Sequence, residues 1–270
     1  MTGFFKVSGS GNDFLALAEP AEAPGPAAIQ AWCRRGVSLG ADGLFVLRRS
    51  PAGVDMDYFN ADGYPADLCL NGTRCAAQLA FHLGWAADSV AIRTGAGTVA
   101  ARRGDAARVT LELPAPEKPR ELVLDVDGIR CAGYALRVGV PHFVVLWPER
   151  LDRAPVDTLG RQIRHHPAFE EGTNVNFVRF PDGHRMEIRT FERGVEAETL
   201  SCGSGILAGA AVGLHTGRSS LPIRVSVQGG FELEVGARDG RWLLSGDARV
   251  VAQGTLLAEA AVSPPPPAWS

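Results

Sequence analysis

The chain has 270 residues, enough for one large domain or two of ordinary size. Hydrophobic residues make up 46% and charged residues 21%, the balance of a globular protein with a substantial core. The net charge is −3 and the basic residues are scattered, so nothing electrostatic points to nucleic acid or an anionic membrane as a partner; no apolar run reaches transmembrane length.

Phe4-Phe5-Lys6-Val7 opens the chain without the charged start and long apolar stretch of a secretion signal, so a cytoplasmic protein is expected. Apolar spacing predicts helices over 27–36, 73–84, 156–165 and 203–215. Short strand patterns dominate elsewhere: Val99–Arg102, Arg108–Leu113 and Arg185–Phe191 alternate or nearly so. Ile223–Val227 and Phe231–Val235 flank Gln228-Gly229-Gly230, which reads as a hairpin. Pro114-Ala115-Pro116-Glu117-Lys118-Pro119 is the clearest linker signal. The expected organisation is an α/β (α+β type) protein of two similar domains, 1–118 and 119–258, with the last strand able to return to the first domain. The tail 259–270, with Ser263-Pro264-Pro265-Pro266-Pro267, is expected to be disordered because proline cannot join a sheet.

There are five cysteines, Cys33, Cys69, Cys75, Cys131 and Cys202. An odd number in a reducing compartment argues against a disulfide framework, and no histidine spacing around them forms a metal motif. Two of them share a setting. Phe59-Asn60-Ala61-Asp62-Gly63 leads to Cys69-Leu70-Asn71-Gly72-Thr73-Arg74-Cys75 and a small-residue helix. Phe191-Glu192-Arg193-Gly194 leads to Cys202-Gly203-Ser204-Gly205 and another. A lone cysteine before a helix is ordinarily a packing residue. Two in a repeated frame point to function. A helix start stabilises a thiolate and binds a carboxylate with its unsatisfied N–H groups. Two such starts around one substrate would allow one thiolate to remove an α-proton while the facing thiol delivers another, inverting the centre without a cofactor. The same N–H groups would meet the charge developing on the carboxylate. Cys33, Cys75 and Cys131 lack the paired context and are expected to be structural.

At these residues the chain resembles the diaminopimelate epimerase family, the pyridoxal-phosphate-independent isomerases of lysine and peptidoglycan-precursor biosynthesis. The resemblance runs through Gly9-Ser10-Gly11-Asn12-Asp13-Phe14, Gly40-Ala41-Asp42-Gly43, both cysteine segments, Gly139-Val140-Pro141-His142, Thr173-Asn174-Val175-Asn176-Phe177 and Glu192-Arg193-Gly194. It implies two domains, each a curved mixed sheet around a central helix, with the active site in the cleft between them. It implies that Cys69 and Cys202 are the acid/base pair and that His142 and Glu192 tune the thiols. A neutral histidine or a carboxylate could take the proton from Cys–SH. Main-chain N–H groups of Leu70, Asn71, Gly203 and Ser204 are implied to hold the reacting carboxylate. Asn12, Asn60, Asn174, Glu192 and Arg193 match the positions that hold the distal amino-acid end, where a bidentate arginine suits a carboxylate. No cofactor and no metal are implied.

Four positions depart from the family pattern. Leu70 follows the first cysteine where glycine is usual, Val140 replaces an asparagine, Gly43 stands where some members carry a glutamine, and Ala252 replaces an aromatic that helps some members dimerise. A homodimer is therefore expected to be altered or weakened. Three other readings stay open: a cofactor-independent racemase of another amino acid, of histidine or glutamate type; an isomerase of the phenazine-biosynthesis type, whose relatives lack the cysteine pair; and a non-catalytic thiol redox or ligand-binding protein.

Overall fold

The computed structural model describes residues 2–261. The chain divides into two compact units: one runs to Val109 and resumes at Asp247, and the other spans Thr110–Gly246.

In the first unit β1 (Thr2–Gly9) and β2 (Asn12–Ala18) form an antiparallel hairpin. Its two-residue turn, Ser10-Gly11, has φ of 52° and 93°, the left-handed pair that matches the twist of adjoining strands. After α1 (Pro26–Cys33), β3 (Gly43–Ser50) lies parallel to β2, and β4 (Gly53–Asn60) returns antiparallel to β3. Next come α2 (Leu70–His82), β5 (Ser89–Thr94) parallel to β4, and β6 (Gly97–Arg103) antiparallel to β5. Helix α2 touches all six of these strands, and Ala76, Ala77 and Ala80 are buried in it. Small side chains let the strands close around the helix. β7 (Arg108–Leu113) leads into the second unit.

In the second unit β8 (Arg120–Val126) pairs antiparallel with β9 (Ile129–Val138), which pairs antiparallel with β10 (Val140–Leu146). A π-turn at Val156–Gly160 runs into the short α3 (Arg161–Arg164). β11 (Asn174–Asp182) lies parallel to β10, with β12 (Arg185–Glu192) antiparallel to it and β13 (Ala197–Thr199) beside β12. Then follow α4 (Gly203–His215), β14 (Ile223–Val227) parallel to β12, β15 (Glu232–Arg238) and β16 (Arg241–Asp247). Helix α4 packs on β9, β10, β11, β12 and β15. β17 (Arg249–Leu256) belongs to the first unit, where it runs antiparallel to β1.

The two units repeat one order. A hairpin (β1–β2, β9–β10) is followed by a helical connection to a parallel strand (β3, β11) and an antiparallel partner (β4, β12). The central helix follows (α2, α4), then a strand parallel to that partner (β5, β14) and a hairpin return (β6, β15). Each unit is thus a mixed sheet around one buried helix.

Several boundaries differ from those expected. The unit change falls between Val109 and Thr110, ahead of the Pro114–Pro119 segment. Pro114 only ends β7, because proline offers the ladder no donor. α2 begins at Leu70, three residues earlier than expected, because Cys69 caps it. α1 ends at Cys33, since Arg34 is extended. The stretch from 258 to 261 forms a 3-10 turn, and Ala260 packs on the cluster of Leu15, Ile29, Trp32 and Leu44. The prolines 264–267 lie outside the described residues. Among the described residues no helix is long and apolar enough to cross a membrane.

Candidate active site

In each unit the singled-out residues gather where strand ends meet the start of the central helix. In the first unit Asn12 starts β2, Gly43 starts β3 opposite Asn60 at the end of β4, and Cys69 caps α2. In the second, His142 near the start of β10 pairs with Asn174 at the start of β11, Glu192 ends β12, and Cys202 caps α4.

Cys69 and Cys202 have the same backbone. Cys69 sits at φ −131°, ψ 107° and Cys202 at φ −119°, ψ 109°, each as the N-cap residue of its helix. The Gly72 N–H donates to Cys69 Sγ at 3.5 Å, a bond that favours the anionic sulfur. Cys202 Sγ lies 3.5 Å from Ser204 Oγ and is only 7% exposed. The remaining cysteines differ. Burial pushes Cys33 up to about 11 and raises Cys75 and Cys131 as well, so all three stay protonated thiols.

A polar chain runs beneath the start of α2. Arg74 Nη2 donates to Asn71 Oδ1 at 2.7 Å and to Ser10 Oγ at 2.8 Å. Asn71 Nδ2 donates to Asn12 Oδ1 at 2.6 Å, and Asn12 Nδ2 donates to Asp42 Oδ2 at 3.0 Å. Ser10, strained at positive φ, is held by Asp247 Oδ1, which accepts from its N–H at 3.0 Å and its hydroxyl at 2.9 Å. Arg74 is wholly buried, and desolvation lowers its pKa from the usual arginine value. Asn60 is engaged through its backbone: its N–H donates to Tyr64 O and its carbonyl accepts from the Gly63 N–H.

In the second unit Asn174 Oδ1 accepts from the Arg193 main-chain N–H at 2.7 Å. Glu192 Oε2 accepts from Thr199 Oγ1 at 2.8 Å, and Arg193 Nη1 donates to the Glu171 carbonyl at 3.1 Å. His142 is buried, with Nδ1 3.1 Å from Asn176 Nδ2. Gly203 is buried and Ser204 half-buried at the start of α4.

The four departures have different settings. Leu70 is buried as the first residue of α2, and Val140 is half-buried opposite Val138. Gly43 has no room for a side chain: a Cβ there would lie 2.6 Å from Phe59 O and 2.8 Å from Tyr58 Oη. Ala252 is exposed on β17 opposite Lys6.

Ser10, Asp42, Arg74 and Asn176 stand in the sequence motifs without a role read for them there, and Asp247 and Thr190 are not singled out by the sequence at all. Arg74 had a signal, since a charge inside an otherwise small and apolar helix must find buried partners. Asp247, with its partner Ser10 at the far end of the chain, had none.

The family model described as diaminopimelate epimerase matches residues 4–113 and 134–251. The diaminopimelate epimerase of Methanothrix thermoacetophila is 36% identical over 272 residues, covering 94% of this chain and 95% of that protein. That of Aquifex aeolicus is 37% identical over 254 residues, covering 86% and 88%. Among solved structures, a phenazine biosynthesis family protein from Enterococcus faecalis superposes with a TM-score of 0.72 at 16% identity, covering 95% of this chain and 99% of that one. A hydroxyproline epimerase from Agrobacterium vitis gives 0.66 at 15% identity, covering 94% and 91%. At those identities the likeness is one of fold.

Proposed function

Because the chain belongs to the diaminopimelate epimerase family of isomerases, we propose that it interconverts LL- and meso-2,6-diaminopimelate without a cofactor, using Cys69 and Cys202 as the two proton-transfer groups. The observation that carries this reading is the matched pair of N-cap cysteines, one on the central helix of each unit.

The thiolate of one cysteine takes the α-proton, and the C–H electron pair moves into the carboxylate. The thiol of the other cysteine then gives its proton to the opposite face of the same carbon, and the pair returns from the carboxylate into the new C–H bond. The cysteines end with their protonation states exchanged. The first-turn N–H groups of α2 and α4 suit the carboxylate, whose charge grows in the transition state. Asn12, Asn60, Asn174, Glu192 and Arg193 hold the distal amino-acid end, with Arg193 on its carboxylate.

The test is purified protein with LL-diaminopimelate and no pyridoxal phosphate, monitored for the meso isomer by NMR. Wild type should form it, and Cys69→Ala and Cys202→Ala should not. Full epimerisation by either variant would reject the reading. Val140 and Leu70 make a panel of other L-amino acids the natural control; turnover of one of these in place of diaminopimelate would move the assignment to a different racemase.

A further inference from the structure

His142 is 1% exposed, and its two ring nitrogens are in unequal positions. Nδ1 lies 3.1 Å from Asn176 Nδ2, while Nε2 has no hydrogen-bond partner among the described residues. The Asn176 amide is oriented by its other neighbours. The Phe143 carbonyl oxygen, which can only accept, lies 3.4 Å from Nδ2. Thr190 Oγ1 donates to Oδ1 at 3.1 Å. Turning the amide over would set its oxygen against that carbonyl oxygen. Nitrogen therefore faces the ring, and an amide nitrogen only donates, so Nδ1 presents a lone pair. In a neutral imidazole the proton then sits on Nε2. Burial, with the Arg193 charge adding to it, holds His142 down to about 3, so the ring stays neutral at ordinary pH.

This group is built against the start of α4. A Cβ at Gly205 would overlap Asn176 Oδ1 and come within 3.3 Å of Thr190 Oγ1. Asn176 and Thr190 thus lie against the helical turn that Cys202 caps, and His142 is tied to that turn through Asn176. A buried donor without an acceptor costs stability and calls for a functional reason.

We propose that Asn176 and Thr190 are positioning residues that lock His142 as the Nε2–H tautomer, making it a fixed hydrogen-bond donor to the negative charge of the reacting centre at the start of α4. It is not the base that takes a proton from a thiol, because its one ring lone pair, on Nδ1, already accepts from Asn176 Nδ2. The role in turnover rests on the epimerase reading above; the tautomer does not.

The experiment therefore has a spectroscopic and a kinetic arm on the full chain. In protein carrying 15N-labelled histidine, His142 should show a protonated Nε2 and an unprotonated Nδ1, unchanged between about pH 5.5 and 8.5. Asn176→Asp places an acceptor against Nδ1 and should move the proton there, lowering kcat on diaminopimelate by about 10²-fold. His142→Gln keeps an N–H donor near the Nε2 position but cannot act as a base. It should stay within about tenfold of wild-type kcat, whereas loss of a true general base would cost about 10²–10⁴-fold. His142→Leu should lose about 10²-fold or more. An Nδ1–H tautomer in wild type, titration of His142 near neutrality, or a glutamine variant as impaired as the leucine variant would overturn the proposal. If wild type shows the Nε2–H tautomer but does not epimerise diaminopimelate, the lock stands and the functional reading fails.

Discussion

Arg74 donates to Asn71 Oδ1 at 2.7 Å from a wholly buried position, and this bond gives the polar chain under α2 a direction. A guanidinium only donates, so the Asn71 atom it meets is oxygen. The Asn71 nitrogen then faces Asn12 Oδ1, and the Asn12 nitrogen faces the Asp42 carboxylate, which only accepts. A donor-only group at one end and an acceptor-only group at the other orient both amides. Arg74→Met leaves Asn71 Oδ1 and Ser10 Oγ without this donor. It should lower the free energy of unfolding in urea by about 3–6 kcal/mol, since each of these two hydrogen bonds to a charged group contributes about 1.5–3 kcal/mol. KM for diaminopimelate should rise, because Asn71, no longer oriented by Arg74, loosens its hold on Asn12 Oδ1. A variant of wild-type stability and KM would show the chain to be idle.

Gly205 is required by contact, not by backbone conformation. Its Cβ position is filled by Asn176 Oδ1. Gly205→Ala should destabilise the protein by about 1–3 kcal/mol, the usual cost of overpacking. It should also displace Asn176 from His142, which the 15N signals of the ring would report. A neutral substitution would mean that the turn has slack.

The five cysteines should separate by alkylation of the native protein. Cys69 is half-buried with an N–H donor on its sulfur, whereas Cys33, Cys75 and Cys131 are buried thiols held protonated by desolvation. Mass mapping after brief iodoacetamide treatment near neutral pH should find Cys69 modified first and these three last. Early labelling of Cys75 would contradict the packing around α2.

His142 also makes stability depend on pH. Its folded-state value of about 3 lies below the ordinary histidine value of 6.5, so between these the unfolded chain binds the extra proton. The stabilisation is fully present above about pH 6.5 and is lost as pH falls from there toward the folded-state value. Urea titrations should show a shallower acid loss for His142→Gln than for wild type between about pH 6.5 and 4.5. Parallel curves would show that His142 takes up its proton without unfolding.

Much of this arrangement is legible in the sequence, and the parts that are not have a common cause. The strands Arg108–Leu113 and Ile223–Val227 and the helix 203–215 follow from local periodicity and match the structure residue for residue. The start of α2 was hidden because Asn71-Gly72 reads as a turn until the cysteine is recognised as its cap. The Pro114–Pro119 segment looks like a boundary by composition, but which strand joins which unit is decided by pairing across the chain, as β17 on β1 illustrates. The cysteines and the distal-end residues stand in motifs. Their supports, Asp247 for Ser10 and Asn176 for His142, are joined by contacts over long sequence separations that no local pattern encodes.

In the proposed mechanism two thiols serve opposite faces of one α-carbon. The most direct measurement is epimerisation of unlabelled LL-diaminopimelate in deuterium oxide, with the isotope in each stereoisomer followed from the first turnovers. A two-base mechanism predicts that the meso product carries solvent deuterium at the inverted carbon while the remaining LL substrate is still unlabelled. Meso product that retains the original proton, or labelling of the substrate at the same rate as the product, would mean that a single base works both faces.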